Sequence, residues 1–144
     1  DYNAILLQAL SDRLAEAAAE YVHQLVRTEY WGYADESALS VVDLLNEQFQ
    51  GIRPAPGYPA CPDHSQKATL FQWLEVQDTI GVQLTESMAM LPTSSVSGWF
   101  LAHPQSRYFG VGKISMDQFD DYQARTGYSE SEAKRWLGVV LNDN

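Results

Sequence analysis

Apolar residues recur at three- and four-residue steps through the first part of the chain, which is the pattern of an amphipathic helix. The stretch 15–19 is alanine except for Glu16, and alanine has the highest helix propensity. Gly32 ends the pattern. The sequence therefore predicts one long helix over residues 3–29. Its apolar stripe consists of Leu7, Leu10, Leu14, Ala18, Tyr21, Leu25 and Val26.

Capping signals divide the next part of the chain. Ser40, with Asp43 three residues later, resembles a capping box and predicts a second helix that ends at Gly51. Ser65 is a suitable N-cap for a third helix, which Gly81 closes. We therefore expect helices over residues 40–51 and 65–81, joined by an irregular segment.

Beyond Gly81 the apolar pattern changes to partial alternation, which indicates β-strands. Three strands are predicted, over residues 82–90, 95–103 and 107–114. The turn residues at 103–106 predict that the last two strands form a hairpin. Two short helices, over residues 116–125 and 129–137, complete the chain. The predicted fold class is α+β, with an antiparallel sheet flanked by helices and a long N-terminal helix.

Composition narrows the class of protein. With 144 residues and 45% hydrophobic residues, the chain is the size of one domain. A net charge of −10 argues against nucleic acid as a partner. We expect no membrane association, since no apolar run approaches the roughly 20 residues needed to span a bilayer. The single cysteine, Cys61, excludes an internal disulfide and favours a cytoplasmic protein.

The most unusual stretch is the proline-rich loop, residues 53–64, which contains four prolines and one glycine. Such a segment forms neither a regular helix nor a central strand. Arg53 offers a planar fork suited to a carboxylate, Gly57 permits close backbone approach to a ligand, and Tyr58 supplies a ring and a hydroxyl. The residues alone leave two interpretations open: a ligand-binding loop, or a rigid surface connection with a solvated arginine.

The long predicted helix carries an acidic column, formed by Asp12, Glu16 and Glu20 at four-residue spacing. Like charges at this spacing cost about 0.2–0.5 kcal/mol per pair, which a cationic ligand would offset. A solvated acidic face is the alternative. Cys61 and His64 have the spacing of half a zinc site, but the sequence offers no second half, so we expect no metal site and no catalytic residues.

One family carries a closely similar loop. Residues 51–64, GIRPAPGYPACPDH, resemble the signature loop of the S-adenosylmethionine-binding activation domain of cobalamin-dependent methionine synthase. The similarity extends over nearly the whole chain, and the further stretches that agree at matching separations are 1–4, 12–17, 30–33, 84–87 and 95–99. These motifs are long and idiosyncratic, so the resemblance is specific.

The resemblance implies a binding site for S-adenosylmethionine. Arg53 is similar to the arginine that binds the ligand carboxylate, and the backbone at Ala55 to the part that recognises adenine. Tyr58 and Tyr108 are similar to the tyrosines near the methionine moiety and the sulfonium. Glu16 matches a glutamate placed near the sulfonium charge. The implied ligand-binding residues are Arg53, Ala55, Gly57, Tyr58, Tyr108, Phe109 and Glu16.

The chain departs from the family at three places. Phe109 stands where some relatives have tyrosine, so that position offers no ring hydroxyl. The ending after Leu137 differs from the relatives' ending. The family domain extends upstream of Asp1, where an acidic residue binds the ligand's amino group. We therefore expect residues 1–144 to be part of a single activation domain whose upstream portion is missing.

The function implied by the resemblance is to present the methyl group of S-adenosylmethionine to cob(I)alamin during reductive reactivation of methionine synthase. Cobalamin would be held by another domain of the same polypeptide, and flavodoxin or a flavoprotein reductase would supply the electron. The sulfonium is already a good leaving group, so no general acid or base is required. The alternative function is a non-catalytic acidic protein-interaction module, which would not be stabilised by S-adenosylmethionine.

Overall fold

The computed structural model describes residues 1–142 and begins with the long helix that the sequence predicts. Helix α1 spans Tyr2–Leu25, and a π-helical segment, Val26–Tyr30, continues it. The carboxylate of Asp1 caps α1 by accepting the backbone N–H of Asn3 at 3.3 Å. Gly32, with φ of +67°, follows the helical run in a left-handed conformation.

The apolar stripe of α1 faces away from the rest of the described chain. Leu7, Leu14 and Tyr21 are 67%, 71% and 61% exposed. On the opposite side of the helix, His23 and Arg27 are buried against the body of the chain. The inward side of α1 is therefore polar, which reverses the usual arrangement for a surface helix.

The second helix is shorter than the sequence predicts. Helix α2 spans Val41–Leu45, and its capping box forms: the Ser40 hydroxyl accepts the Asp43 N–H at 3.2 Å, and the Asp43 carboxylate accepts the Ser40 N–H at 2.8 Å. The predicted extension to Gly51 is wrong, because Glu47 adopts a left-handed conformation with φ of +53°. Phe49 therefore lies outside the helix, where it packs against α1.

The predicted third helix is divided into two. Helix α3 spans Gln66–Trp73 and helix α4 spans Val76–Ile80. Between them Glu75 has φ of +48°, a left-handed conformation that interrupts the helical path, so the single predicted helix is wrong. Gly81, with φ of +73°, ends α4 as the sequence predicts.

The antiparallel sheet is a two-stranded hairpin. Strand β1, Gln83–Leu84, pairs with strand β2, Met90–Leu91, so that Gln83 lies opposite Leu91 and Leu84 opposite Met90. The single strand predicted over 82–90 is thus wrong, since the chain reverses direction within it. Met88 takes the left-handed conformation that this reversal requires, with φ of +61°. The α+β fold class is confirmed.

The hairpin predicted between residues 95–103 and 107–114 is also wrong. A turn does form at His103, whose carbonyl accepts the Ser106 N–H at 2.9 Å. The two arms then bond to other parts of the chain. Leu101 exchanges backbone hydrogen bonds of 2.9 and 3.0 Å with Ile52, and Ile114 forms a parallel bridge with Leu141. Long-range pairing therefore replaces the local pairing.

Two C-terminal helices enclose a small apolar core. Helix α5 spans Met116–Thr126 and helix α6 spans Glu130–Leu137, close to the predicted bounds. Capping boxes begin both helices, and Gly127, with φ of +72°, ends α5. The buried side chains that pack together here are Ile114, Phe119, Ala133, Leu137 and Leu141.

Neighbouring segments hold the proline-rich loop from both sides. The carbonyl of Pro54 accepts the Trp99 N–H at 3.0 Å, and the carbonyl of Pro59 accepts the Val111 N–H at 2.8 Å. Proline has no N–H, so the loop has few donors for hydrogen bonds within itself. N–H groups from neighbouring segments that donate to its carbonyls therefore help to fix its shape. The Ile52–Leu101 bridge anchors the start of the same loop.

Inside the loop, the chain closes a tight turn. The Gly57 N–H donates to the Cys61 carbonyl at 2.7 Å, and the Cys61 N–H donates to the Tyr58 carbonyl at 2.9 Å. Gly57 has φ of +94°, and a β-carbon on it would stand 2.1 Å from Cε1 of His64. The imidazole of His64 fills the space that a side chain would need. The protein itself therefore requires glycine here, independently of any ligand.

We predict that Gly57→Ala lowers the free energy of unfolding by about 2–4 kcal/mol, because the new methyl group meets the His64 ring and the backbone is left-handed. Gly110→Ala is the matched control, since its β-carbon would meet Pro59 at an ordinary 3.7 Å. Denaturant unfolding of both variants measures the difference. Normal stability of Gly57→Ala, with only ligand binding reduced, would instead assign the glycine to ligand approach.

Candidate functional site

Arg53 lies between helix α1 and the segment that carries Tyr108. Its Nη2 donates to the carboxylate of Glu20, and its Nη1 lies 3.3 Å from Nδ1 of His23. Its backbone N–H donates to the hydroxyl of Tyr108 at 3.0 Å. The side chain is 23% exposed, so the guanidinium rests against the protein while remaining accessible.

The imidazole of His23 is fully buried between two phenylalanines. It stacks on Phe100 with ring centroids 4.9 Å apart, and it meets Phe49 edge-on at 5.3 Å. Burial, together with the positive charges of Arg27 and Arg53, lowers the pKa of His23 to about 4. The ring is therefore neutral at pH 7, and its Nδ1 accepts a hydrogen bond from Arg53.

A buried ion pair lies behind His23. The guanidinium of Arg27 forms a fork with Glu36, with Nη2 3.1 Å from Oε2, and both side chains are almost fully buried. The same guanidinium stands 3.7 Å above the ring centroid of Phe49. This arrangement ties residues 34–38 to the end of the helical run and places a fixed positive charge beside the imidazole.

The other end of the proline-rich loop is secured by Asp63. Its carboxylate accepts the N–H and hydroxyl of Ser65 at 2.7 and 2.8 Å, the amide of Gln66 at 3.1 Å, and the hydroxyl of Tyr122. Burial acts to raise the pKa of Asp63, but these hydrogen bonds together hold that pKa below its usual range. Ser65 thus bonds to Asp63 and does not cap α3 through its side chain, contrary to the prediction.

Sequence reasoning missed the role of Asp63. An aspartate two residues before a serine is the signature of a turn in which the carboxylate bonds to the backbone, and that signal was present in the sequence. Its link to Tyr122 spans 59 positions and leaves no local trace. The network fastens the loop to α5.

Cys61 and His64 do not form part of a metal site in the described residues. Burial and the nearby charge of Asp63 raise the pKa of the Cys61 thiol, which keeps it protonated. His64 Nδ1 lies 3.0 Å from the Lys67 ammonium, which also donates to the Met88 carbonyl at 2.8 Å. Over residues 1–142, no three histidine, cysteine or carboxylate side chains converge where they would hold a metal ion.

Each carboxylate of the acidic column on α1 has a partner. Asp12 accepts the hydroxyl of Ser94 at 2.7 Å, Glu16 pairs with Arg13 at 2.8 Å, and Glu20 pairs with the candidate arginine. Two of the three carboxylates thus have a cationic partner within the protein, so the repulsion that the sequence suggests is partly offset without a ligand. Glu16 lies one turn, about 5–6 Å, from Glu20 along the same face.

The aromatic candidates are accessible from solvent. Tyr58, Tyr108 and Phe109 are 66%, 48% and 63% exposed, and Ala55 is half-buried within the loop. Of the seven residues implied by the resemblance, the structure brings Arg53 and Tyr108 into direct contact. Ala55, Gly57 and Tyr58 lie on the loop, Phe109 follows Tyr108 in the chain, and Glu16 lies one helical turn from Glu20.

The site is an open surface beside the loop. Two clefts elsewhere, of about 430 and 610 Å³, lie against residues 34–37 and between α3, α4 and residues 83–88. Neither is lined by a residue of the proline-rich loop. In the part of the chain that the structure describes, no helix has the length and apolar character needed to cross a membrane.

Comparison with known proteins agrees with the fold. A family model described as the vitamin B12 dependent methionine synthase activation domain matches residues 1–127. A crystal structure of the MetH reactivation domain bound to AdoHcy superposes with a TM-score of 0.95 and is 54% identical in sequence. The match covers 100% of this chain and 44% of that one, so the chain spans less than half the length of its relative. The chain belongs to the family of vitamin B12-dependent methionine synthase activation domains.

Proposed function

We propose that this chain binds S-adenosylmethionine on the surface formed by the proline-rich loop and helix α1. The observation that carries the proposal is the placement of Arg53. A guanidinium has five N–H donors, and Glu20 and His23 engage only two nitrogens of this one. Donors therefore remain for the carboxylate of a ligand, and a charge-assisted pair of this kind is a strong anchor.

The surroundings of Arg53 suit the remaining parts of such a ligand. The exposed rings of Tyr58, Tyr108 and Phe109 offer apolar area for the methionine chain. The loop backbone at Ala55 offers polar groups for adenine, and Glu16 offers negative charge for the sulfonium. The structurally similar MetH reactivation domain binds AdoHcy, which is what remains of S-adenosylmethionine when its methyl group has been transferred. In this proposal these residues bind and orient the ligand, and they supply no acid or base because a sulfonium methyl donor needs none.

The parent protein, in this proposal, is a cobalamin-dependent methionine synthase of the cytoplasm. Another domain of the same polypeptide holds the cobalamin, whose reduced cobalt supplies the nucleophile for methyl transfer. This chain presents the methyl group during reductive reactivation, and flavodoxin or a flavoprotein reductase supplies the electron. The chain alone holds the methyl donor and does not turn over.

We further propose that residues 1–144 form part of a single activation domain and that additional chain covers the outer side of α1. The exposed apolar stripe is the supporting observation, because contiguous apolar surface of this kind normally lies against a partner. The matched solved chain is more than twice as long as this one, which leaves ample chain for that purpose.

The direct test of the proposed function is a thermal shift with S-adenosylmethionine or S-adenosylhomocysteine, repeated for Arg53→Ala. Either ligand should raise the melting temperature of the wild type. Arg53→Ala should weaken binding by about 2–5 kcal/mol, because the carboxylate loses its charged partner. Arg125→Ala, which removes an exposed arginine paired with Asp121, is the matched control and should bind normally. No shift with either ligand would favour the protein-interaction module.

A second test asks whether Glu16 responds to the sulfonium charge. Glu16→Gln should weaken S-adenosylmethionine more than S-adenosylhomocysteine, since only the former is positively charged, by about 1 kcal/mol with water screening the pair. The stability of the variant should change little, because the lost pair with Arg13 is exposed. Calorimetric titration of both ligands measures the difference. An equal effect on the two ligands, or none, would remove Glu16 from the site.

A further inference from the structure

Two residues of α1 hold the guanidinium of Arg53. Glu20 binds Nη2, and Nδ1 of His23 lies 3.3 Å from Nη1. An arginine side chain has many rotamers, and a ligand that had to select one of them would bind more weakly. The contacts with Glu20 and His23 restrict the rotamers of Arg53.

His23 is the more rigid of the two partners. Phe49 and Phe100 fix the plane of its ring from two directions, and the side chain is fully buried. The ring carries no charge at neutral pH, since burial lowers its pKa and the charges of Arg27 and Arg53 lower it further. Its Nδ1 is therefore an acceptor, which implies that the proton is on Nε2. Among residues 1–142, Nε2 has no hydrogen-bond partner.

This arrangement has a cost for stability. A buried N–H group without a partner is destabilising, and an apolar ring of similar shape would pack between the two phenylalanines without that penalty. Burial of the imidazole is thus poorly explained by stability alone. The one polar contact that it makes in the described chain points at Arg53.

We propose that His23, together with Glu20, is a positioning pair that fixes the guanidinium of Arg53 in the orientation that receives the ligand carboxylate. The inference rests on the proposed function, since it assigns a role toward the same ligand. Glu20 balances the charge of the guanidinium, and the rigidly packed ring of His23 sets its orientation. The remaining donors of Arg53 are then presented to the ligand without further ordering.

The decisive variants are His23→Phe and His23→Asn, in the complete protein. His23→Phe keeps the aromatic stack, removes the acceptor and removes the unpartnered N–H. Its melting temperature should equal or exceed that of the wild type, while its affinity for S-adenosylhomocysteine should fall about ten-fold. His23→Asn keeps an acceptor near the position of Nδ1 but leaves a cavity, so it should be less stable and bind more tightly than His23→Phe.

The same variants should leave binding of 5′-methylthioadenosine unchanged, because that compound has no carboxylate. Glu20→Gln should also weaken S-adenosylhomocysteine selectively, and Glu29→Gln, the same charge change at an exposed position of the helical run, should not. Tighter binding by Glu20→Gln would show that Glu20 competes with the ligand, and wild-type affinity in His23→Phe would show that His23 is structural. Either result overturns the inference. Absence of binding by the wild type would instead overturn the proposed function.

Discussion

Backbone hydrogen bonds from Trp99 and Val111 to the carbonyls of Pro54 and Pro59 hold the proline-rich loop, and the candidate site depends on them. The prolines leave the loop short of donors, so its shape is imposed by the segments that flank it. The Ile52–Leu101 bridge fixes the point at which Arg53 leaves the backbone. The candidate surface is thereby built from irregular chain without a large sheet to support it.

The charges on the inner side of α1 form an ordered arrangement. The buried Arg27–Glu36 pair supplies a fixed positive charge, and the neutral imidazole of His23 separates it from the guanidinium of Arg53. Glu20 then balances that guanidinium at the surface. This explains why the polar side of the helix faces inward. Its apolar side is exposed in the described part of the chain, in keeping with a chain that spans less than half of its solved relative.

Local signals made some parts of the fold predictable. The long helix and the capping box at Ser40 rest on spacing within a few residues, and the structure has them. The breaks at Glu47 and Glu75 occur without the glycine that normally marks a left-handed residue, so the helix lengths were wrong.

Distance along the chain limited the rest of the prediction. The pairing of Leu101 with Ile52 joins residues 49 positions apart, and nothing in either segment specifies that partner. The loop residues of the site came from family resemblance and stay predictions as ligand contacts. The contacts of Glu20 and His23 with Arg53 could be found only from the structure.

The most direct test of the proposed role of Arg53 is a crystal structure with S-adenosylhomocysteine bound. The account predicts that the ligand carboxylate lies on the guanidinium of Arg53 while Nδ1 of His23 keeps its contact, and a carboxylate bound elsewhere would contradict it.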